Sequence, residues 1–221
     1  MFGAIVFFVG FILGFPIAHY TSYLINNCED CEKQVVFKFV SIRSILICAI
    51  GGLLWLVVYI FDGISILSLV YMVVSSILLA ISVVDFAVNE IPPQFNIALA
   101  CLGLICLVCD LSHWYNYLIG AAAVSGIFLL MALATKGQGM GGGDIKLMAA
   151  TGFMLGWQKI LFVMVIGSVL GIIIHGAMMV ILKKKHMLAF GPYLSTGVYI
   201  MMIWGSQVID WYVSTFFNFY G

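Results

Sequence analysis

Charged residues are scarce in this chain. Lys, Arg, Asp and Glu make up 8% of its 221 residues, and hydrophobic residues make up 64%, whereas a soluble globular domain carries about 25% charged residues. The mean hydropathy is +1.20, which excludes a soluble globular fold. The shortage of charge therefore predicts an integral membrane protein whose main partner is lipid.

Two further features are missing, a basic excess and a cleavable signal peptide. Nine basic residues balance nine acidic ones, so the chain lacks the basic face of nucleic-acid-binding proteins, and we predict no nucleic-acid partner. The stretch from Met1 to Ala4 has neither a basic region nor a small-residue cleavage site. We therefore expect the first apolar segment to be a retained helix.

Polar residues and Gly or Pro divide the apolar sequence into eight candidate spans. The predicted fold class is all-α, a polytopic membrane bundle of about eight transmembrane helices. We expect a two-helix region at 1–60 with a short cytoplasmic loop, and a six-helix region at 61–221. The sixth span is short for a crossing, so a re-entrant or protein-buried helix is an alternative. The predicted spans run approximately Phe2 to Leu24, Val40 to Ile60, Ile64 to Asp85, Asn96 to Cys109, Trp114 to Thr135, Ile145 to Trp157, Ile160 to Leu182, and Pro192 to Val213.

The basic residues predict an orientation, because Lys and Arg accumulate in short cytoplasmic loops. Eight of the nine fall in or beside odd-numbered loops of this division, and Lys159 alone falls on an even one. We therefore expect the odd loops to face the cytoplasm and both termini to be extracytoplasmic. Asp85 opens the third loop and Asp144 closes the fifth, so both acids are expected at the cytoplasmic membrane boundary.

Asp85 and Asp144 are the candidate catalytic residues. Ionisable groups at membrane depth are costly and usually functional, and two nearby carboxyls favour a shared proton and acid/base chemistry. Gly141, Gly142 and Gly143 precede Asp144 and would let an extended peptide approach it. As alternatives, Asp144 caps a helix that begins at Ile145, or Asp85 is an ordinary interfacial residue.

Three segments, in order, resemble one family. The first is Asp85 followed by Ile91-Pro92 and Asn96, which resembles a catalytic aspartate region. The other two are Gly141-Gly142-Gly143-Asp144-Ile145-Lys146-Leu147-Met148-Ala149, similar to a GxGD motif, and Phe190-Gly191-Pro192-Tyr193, similar to a late FGP motif. The set resembles the bacterial prepilin peptidases, or type IV leader peptidases, which are integral-membrane aspartic proteases.

The resemblance implies removal of a short cytoplasmic leader from type IV prepilin-like or pseudopilin substrates in the bacterial inner membrane, for pilus assembly or protein secretion. Asp85 and Asp144 would be the catalytic pair, with no metal or organic cofactor. Gly141 and Gly143 would shape the substrate loop. Lys146 would either act there directly or merely follow the cytoplasmic bias of basic residues.

The segment after Asp85 is expected to leave room for substrate. Pro92 and Pro93 cannot continue a helical hydrogen-bond ladder, so we expect them to break the chain just beyond Asp85. The polar residues that flank them would orient the substrate backbone or simply satisfy the loop. Glu90 is the one to test first; the others are Asn89, Gln94 and Asn96.

The first loop departs from the commoner pattern of the family that the chain resembles. In that pattern the loop is a longer insert with two CxxC pairs, which would hold zinc. Here Cys28 and Cys31 form one pair, without a His or a second CxxC in that loop. Structural zinc sites usually have four ligands, so these thiols are only weak candidates and we predict no metal. The N-methyltransferase activity of the longer relatives is not assigned.

A cation-coupled membrane transporter that uses the same aspartates is the alternative function. Such a protein is expected to carry acids at mid-span on facing helices, often within an inverted repeat. The sequence has neither feature, so the peptidase is favoured.

Overall fold

The computed structural model describes residues 2–26, 42–137, 139–182 and 189–216. Within these ranges the regular elements are eight α-helices and one short 3-10 helix, which confirms the predicted all-α fold class. The helices are α1 (Phe2–Asn26), α2 (Ile42–Asp62), α3 (Ile66–Val88), α4 (Pro93–Cys109), α5 (Trp114–Ala134), α6 (Gly142–Leu155), α7 (Trp157–Leu182) and α8 (Gly191–Phe216), with the 3-10 turn Leu111–His113 before α5.

The helix lengths fit a membrane protein. Five described helical segments are long and apolar enough to cross a bilayer: Phe2–Asn26, Ile42–Asp62, Ile66–Val88, Leu111–Ala134 and Trp157–Met178. Many large apolar side chains on them are exposed, which suits a lipid environment and not water. The chain is therefore a multi-pass membrane protein.

Helix α6 is the short sixth segment. It has 14 residues and is therefore about 21 Å long at 1.5 Å per residue. The hydrocarbon core of a bilayer is about 30 Å thick. Helix α6 is thus shorter than a full crossing requires.

The first of two compact units contains α1, α2, α3 and the first turn of α8. Small residues let α1 approach α2: a Cβ on Gly14 would lie 2.5 Å from Cα of Cys48, and one on Gly10 would lie 2.8 Å from Cγ of Trp55. Trp55 Nε1 also donates a hydrogen bond to Ser76 Oγ at 2.9 Å. These contacts hold α3 in place within its unit.

The second unit contains α4 to α7 and the remainder of α8. In it α5 and α6 run antiparallel, because Gly120 lies against Gly152 and Asn116 lies against Gly156. A Cβ on Gly152 would collide with the carbonyl oxygen of Gly120 and lie 2.7 Å from its carbonyl carbon. The two backbones are therefore in direct contact.

The end of α6 is fixed at the same seam. Gly156 follows the helix with φ +83°, a conformation that L side chains rarely adopt. The next backbone N–H, that of Trp157, donates to Asn116 Oδ1 at 3.2 Å. A side chain of α5 thus supplies the hydrogen-bond acceptor for a backbone N–H in the turn between α6 and α7.

We expect Gly152→Ala to destabilise the protein by about 1–3 kcal/mol, the usual cost of overpacking, and to lower its activity in parallel. The added methyl meets main-chain atoms, which cannot rotate away. Gly126→Ala on α5 is the control, since a Cβ there meets no described atom within 4 Å, and Ala favours helix over Gly by about 1 kcal/mol. Thermal unfolding in detergent measures both, and equal melting temperatures would contradict the prediction.

Candidate functional site

Asp85 lies in the last turn of α3 and is buried, with 4% of its surface exposed. Its backbone oxygen accepts a hydrogen bond from the N–H of Asn89 at 2.8 Å. Asn89 has φ +54°, and this left-handed residue ends the helix. The chain therefore breaks after Asp85 as predicted, but Asn89 and not the proline pair ends α3. Pro93 is instead the first residue of α4.

The Asp85 carboxylate meets the beginning of α8. The N–H of Gly191 donates to Asp85 Oδ2 at 2.8 Å, and α8 begins at this residue. The first N–H groups of a helix have no partner within the helix, so Gly191 supplies a donor to the buried carboxylate. A Cβ on Gly191 would lie 2.7 Å from Oδ2 of Asp85, so a side chain at this position would displace the carboxylate.

Asp144 lies in the first turn of α6 and is buried, with 9% exposed. The helix begins at Gly142 and its N-cap is Gly141. The alternative that Asp144 caps a helix starting at Ile145 is therefore wrong, because two glycines precede it inside the helix. The first-turn position still favours an acid by the helix dipole.

Three glycines, which carry no side chains, immediately precede Asp144. Gly141 and Gly142 are exposed and Gly143 is half-buried. A Cβ on Gly141 would lie 3.1 Å from Oδ2 of Asp144, whereas one on Gly142 would meet no described atom within 4 Å. The Gly142 side of the loop is therefore open to an added methyl group among the described residues.

The region of the chain that carries both acids matches a known family. Residues 72–176 match the type IV leader peptidase family. The prepilin leader peptidase/N-methyltransferase of Bacillus subtilis is 32% identical over 194 residues, which cover 85% of this chain and 75% of that protein. The chain belongs to the type IV leader peptidase family.

Other relatives with the same name cover similar lengths. Those of Aeromonas salmonicida and Pseudomonas aeruginosa are 29% and 27% identical, over 87% and 90% of this chain and 67% and 69% of their own lengths. No solved structure matches the chain. The comparisons thus confirm the leader peptidase family that the sequence motifs predict.

Gly191 is the site residue that sequence reasoning missed. It lies outside the residues matched to the leader peptidase family, yet it hydrogen-bonds to Asp85. The signal that pointed to it was its place in the segment Phe190-Gly191-Pro192-Tyr193. That segment gave no indication of which residue it contacts.

Two predicted substrate-contacting residues of this leader peptidase are exposed. Glu90 lies between α3 and α4, just after Asn89. Lys146 lies on α6 two residues after Asp144, and side chains at that spacing do not face each other on a helix. Their roles toward a substrate stay predictions.

Cys28 and Cys31, the two weak candidates for metal ligands, lie outside the described residues. Within the described ranges, no three His, Cys, Asp or Glu side chains form a group that would hold a metal ion. The prediction about the two thiols therefore stays a prediction.

Asp110 has several polar partners but differs from the two buried acids. Ser112 Oγ donates to it at 2.7 Å, and His113 Nδ1 lies 3.0 Å from Oδ1. Hydrogen bonds with Ser112 and His113 hold the pKa of Asp110 below its usual range. Because these partners are neighbours in one exposed turn, we interpret Asp110 as a structural turn residue.

Proposed function

We propose that the protein is an aspartic endopeptidase that removes the short leader from type IV prepilin-like or pseudopilin precursors, with Asp85 and Asp144 acting as a pair. One observation carries the proposal. Each acid is buried, lies in the region matched to the leader peptidases, and abuts a glycine at which a Cβ would crowd the carboxylate.

The proposed chemistry needs only the two carboxyl groups and water. One carboxylate takes a proton from water while the water oxygen attacks the carbonyl carbon of the scissile peptide bond. The other carboxyl, initially protonated, gives its proton to the leaving amine nitrogen as the C–N bond breaks. Ionising two buried carboxyls that lie close together is costly, so a pair formed by Asp85 and Asp144 would favour this asymmetry.

We propose that the protein lies in the bacterial inner membrane with both termini extracytoplasmic and the two acids at the cytoplasmic boundary. The placement of eight basic residues in odd-numbered loops supports this orientation. A leader presented from the cytoplasm would then reach Asp85 and Asp144. N-methylation, which the relatives' names include, is not part of the proposal.

The test is cleavage by the purified protein in detergent of prepilin-like precursors from the genome that encodes it. We expect mass spectrometry to show one cut just before the hydrophobic helix, and the same spectra measure methylation of the new N-terminus. Intact precursors in the presence of folded protein would contradict the peptidase. Ion flux in proteoliposomes that requires both acids would favour the transporter.

A further inference from the structure

Asn96 is a buried polar residue that the proposed chemistry does not use. It lies in the first turn of α4 with 6% of its surface exposed. Neither its Oδ1 nor its Nδ2 has a hydrogen-bond partner among the described residues. Buried polar groups in native proteins are almost always paired, so this carboxamide requires an explanation.

Two other buried polar side chains, Ser75 and Thr151, behave differently. Ser75 Oγ donates to the carbonyl of Met72 at 2.7 Å, and Thr151 Oγ1 donates to that of Leu147 at 2.7 Å. These hydroxyls satisfy themselves within their own helices. The Asn96 carboxamide has no such hydrogen bond within its own helix, so a partner from outside the described fold would satisfy it.

Helices α4 and α6 run in the same direction within the second unit. The end of α4 leads through the short turn Leu111–His113 into the beginning of α5. Near that beginning, Asn116 lies against Gly156 just after the end of α6. The C-terminal ends of α4 and α6 are therefore at the same end of the unit.

Asn96 is on the face of α4 that contacts α6. A Cβ on Gly103 would lie 2.9 Å from the ring of Phe153 and 3.5 Å from the backbone N of Met154. Asn96 precedes Gly103 by seven residues, which is close to two helical turns and so returns to nearly the same face. Asn96 therefore lies on the side of α4 that faces α6.

The same spacing sets the level of Asn96 along α6. Seven residues before Phe153 and Met154 are Lys146 and Leu147. Asp144 is two to three residues further toward the start of the helix, a rise of about 3–4.5 Å. Along the axis of α6, Asn96 is thus within about one turn of the level of Asp144.

The chemistry of a carboxamide indicates its partner. It presents one acceptor oxygen and two N–H donors, so it can accept from the N–H and donate to the C=O of a peptide main chain. An extended substrate has both groups free, and a nonpolar surrounding offers no water to replace them. A peptide is therefore a fitting occupant beside the side-chain-free loop at Gly141 and Gly142.

We propose that Asn96 binds the main chain of the substrate peptide near the beginning of α6, close to the level of Asp144. The inference rests on the proposed peptidase function and adds to it a binding residue. It also separates Asn96 from the three polar residues near it in sequence, which are exposed: Asn89, Glu90 and Gln94.

The test is Asn96→Leu, which replaces the carboxamide by an apolar group with the same branching and the same number of heavy atoms. We expect KM for precursor cleavage to rise about ten-fold, the effect of one lost hydrogen-bonding interaction, with kcat changed less than about three-fold. The melting temperature should stay equal or rise, because an unsatisfied buried polar group has been removed. Asn96→Thr, which keeps a donor and an acceptor, should recover part of the affinity.

Thr151→Val is the matched control, since it removes a buried polar group that is satisfied by its own helix; its KM should equal that of the wild type. Wild-type KM in Asn96→Leu would overturn the inference, as would a loss of stability that parallels the loss of activity. If Asn96→Leu does not fold, KM of Asn96→Thr decides, and a wild-type value overturns the inference. Absence of cleavage by the wild type would instead overturn the peptidase itself.

Discussion

Asp85→Asn and Asp144→Asn should each lower kcat for precursor cleavage by about 1000-fold, within the range that general acid or base catalysis contributes. An amide neither accepts a proton from water nor donates one to the leaving nitrogen as a carboxyl does. Because Asn has nearly the size of Asp, each variant should still fold. In Asp85→Asn the side-chain oxygen can also keep accepting the N–H of Gly191. Initial rates with a purified precursor measure the effect.

The control for this pair is Asp210→Asn, which makes the same chemical change at an exposed acid of α8. We expect it to cleave at the wild-type rate. Melting temperatures of all three variants should lie close to that of the wild type. Normal processing by either Asp85→Asn or Asp144→Asn would disprove the assignment of that residue, even if the protein proves to be a peptidase.

Gly191→Ala should lower kcat by about 100-fold, a loss that a misplacement of about 1 Å can produce, while the fold remains stable. The new Cβ would lie 2.7 Å from Oδ2 and 3.0 Å from Cγ of Asp85, so something must move. The end of the Asp85 side chain can rotate, whereas the backbone at the beginning of α8 is held by its helix. We therefore expect the carboxylate to shift, which costs activity more than stability.

The matched control for Gly191→Ala is Gly176→Ala on α7, where a Cβ would meet no described atom within 4 Å. Initial rates and thermal unfolding, measured together on both variants, separate the effects. Unchanged kcat in Gly191→Ala would mean that the contact with Asp85 has no bearing on catalysis. A large drop in melting temperature would mean that the beginning of α8 yields instead of the carboxylate.

The sequence predicted the helices well because hydropathy and length are properties of consecutive residues. It was less accurate at the helix ends. The sequence predicts a loop at Gly142 and Gly143, since glycine disfavours helices, yet they form the first turn of α6. The sequence predicts that the Pro92-Pro93 pair breaks the chain after Asp85, whereas the left-handed Asn89 ends α3.

By itself, the sequence determined that the protein is a helical membrane protein, that two acids are its candidate catalytic groups, and that its motifs resemble one peptidase family. Only the tertiary structure decided that the Gly191 N–H meets Asp85, 106 residues away, that Gly120 and Gly152 bring α5 against α6, and that Asn96 is buried. The physical reason is that helix formation in a membrane follows from local apolar composition. Contacts between distant residues depend on how whole helices pack, which no single segment encodes.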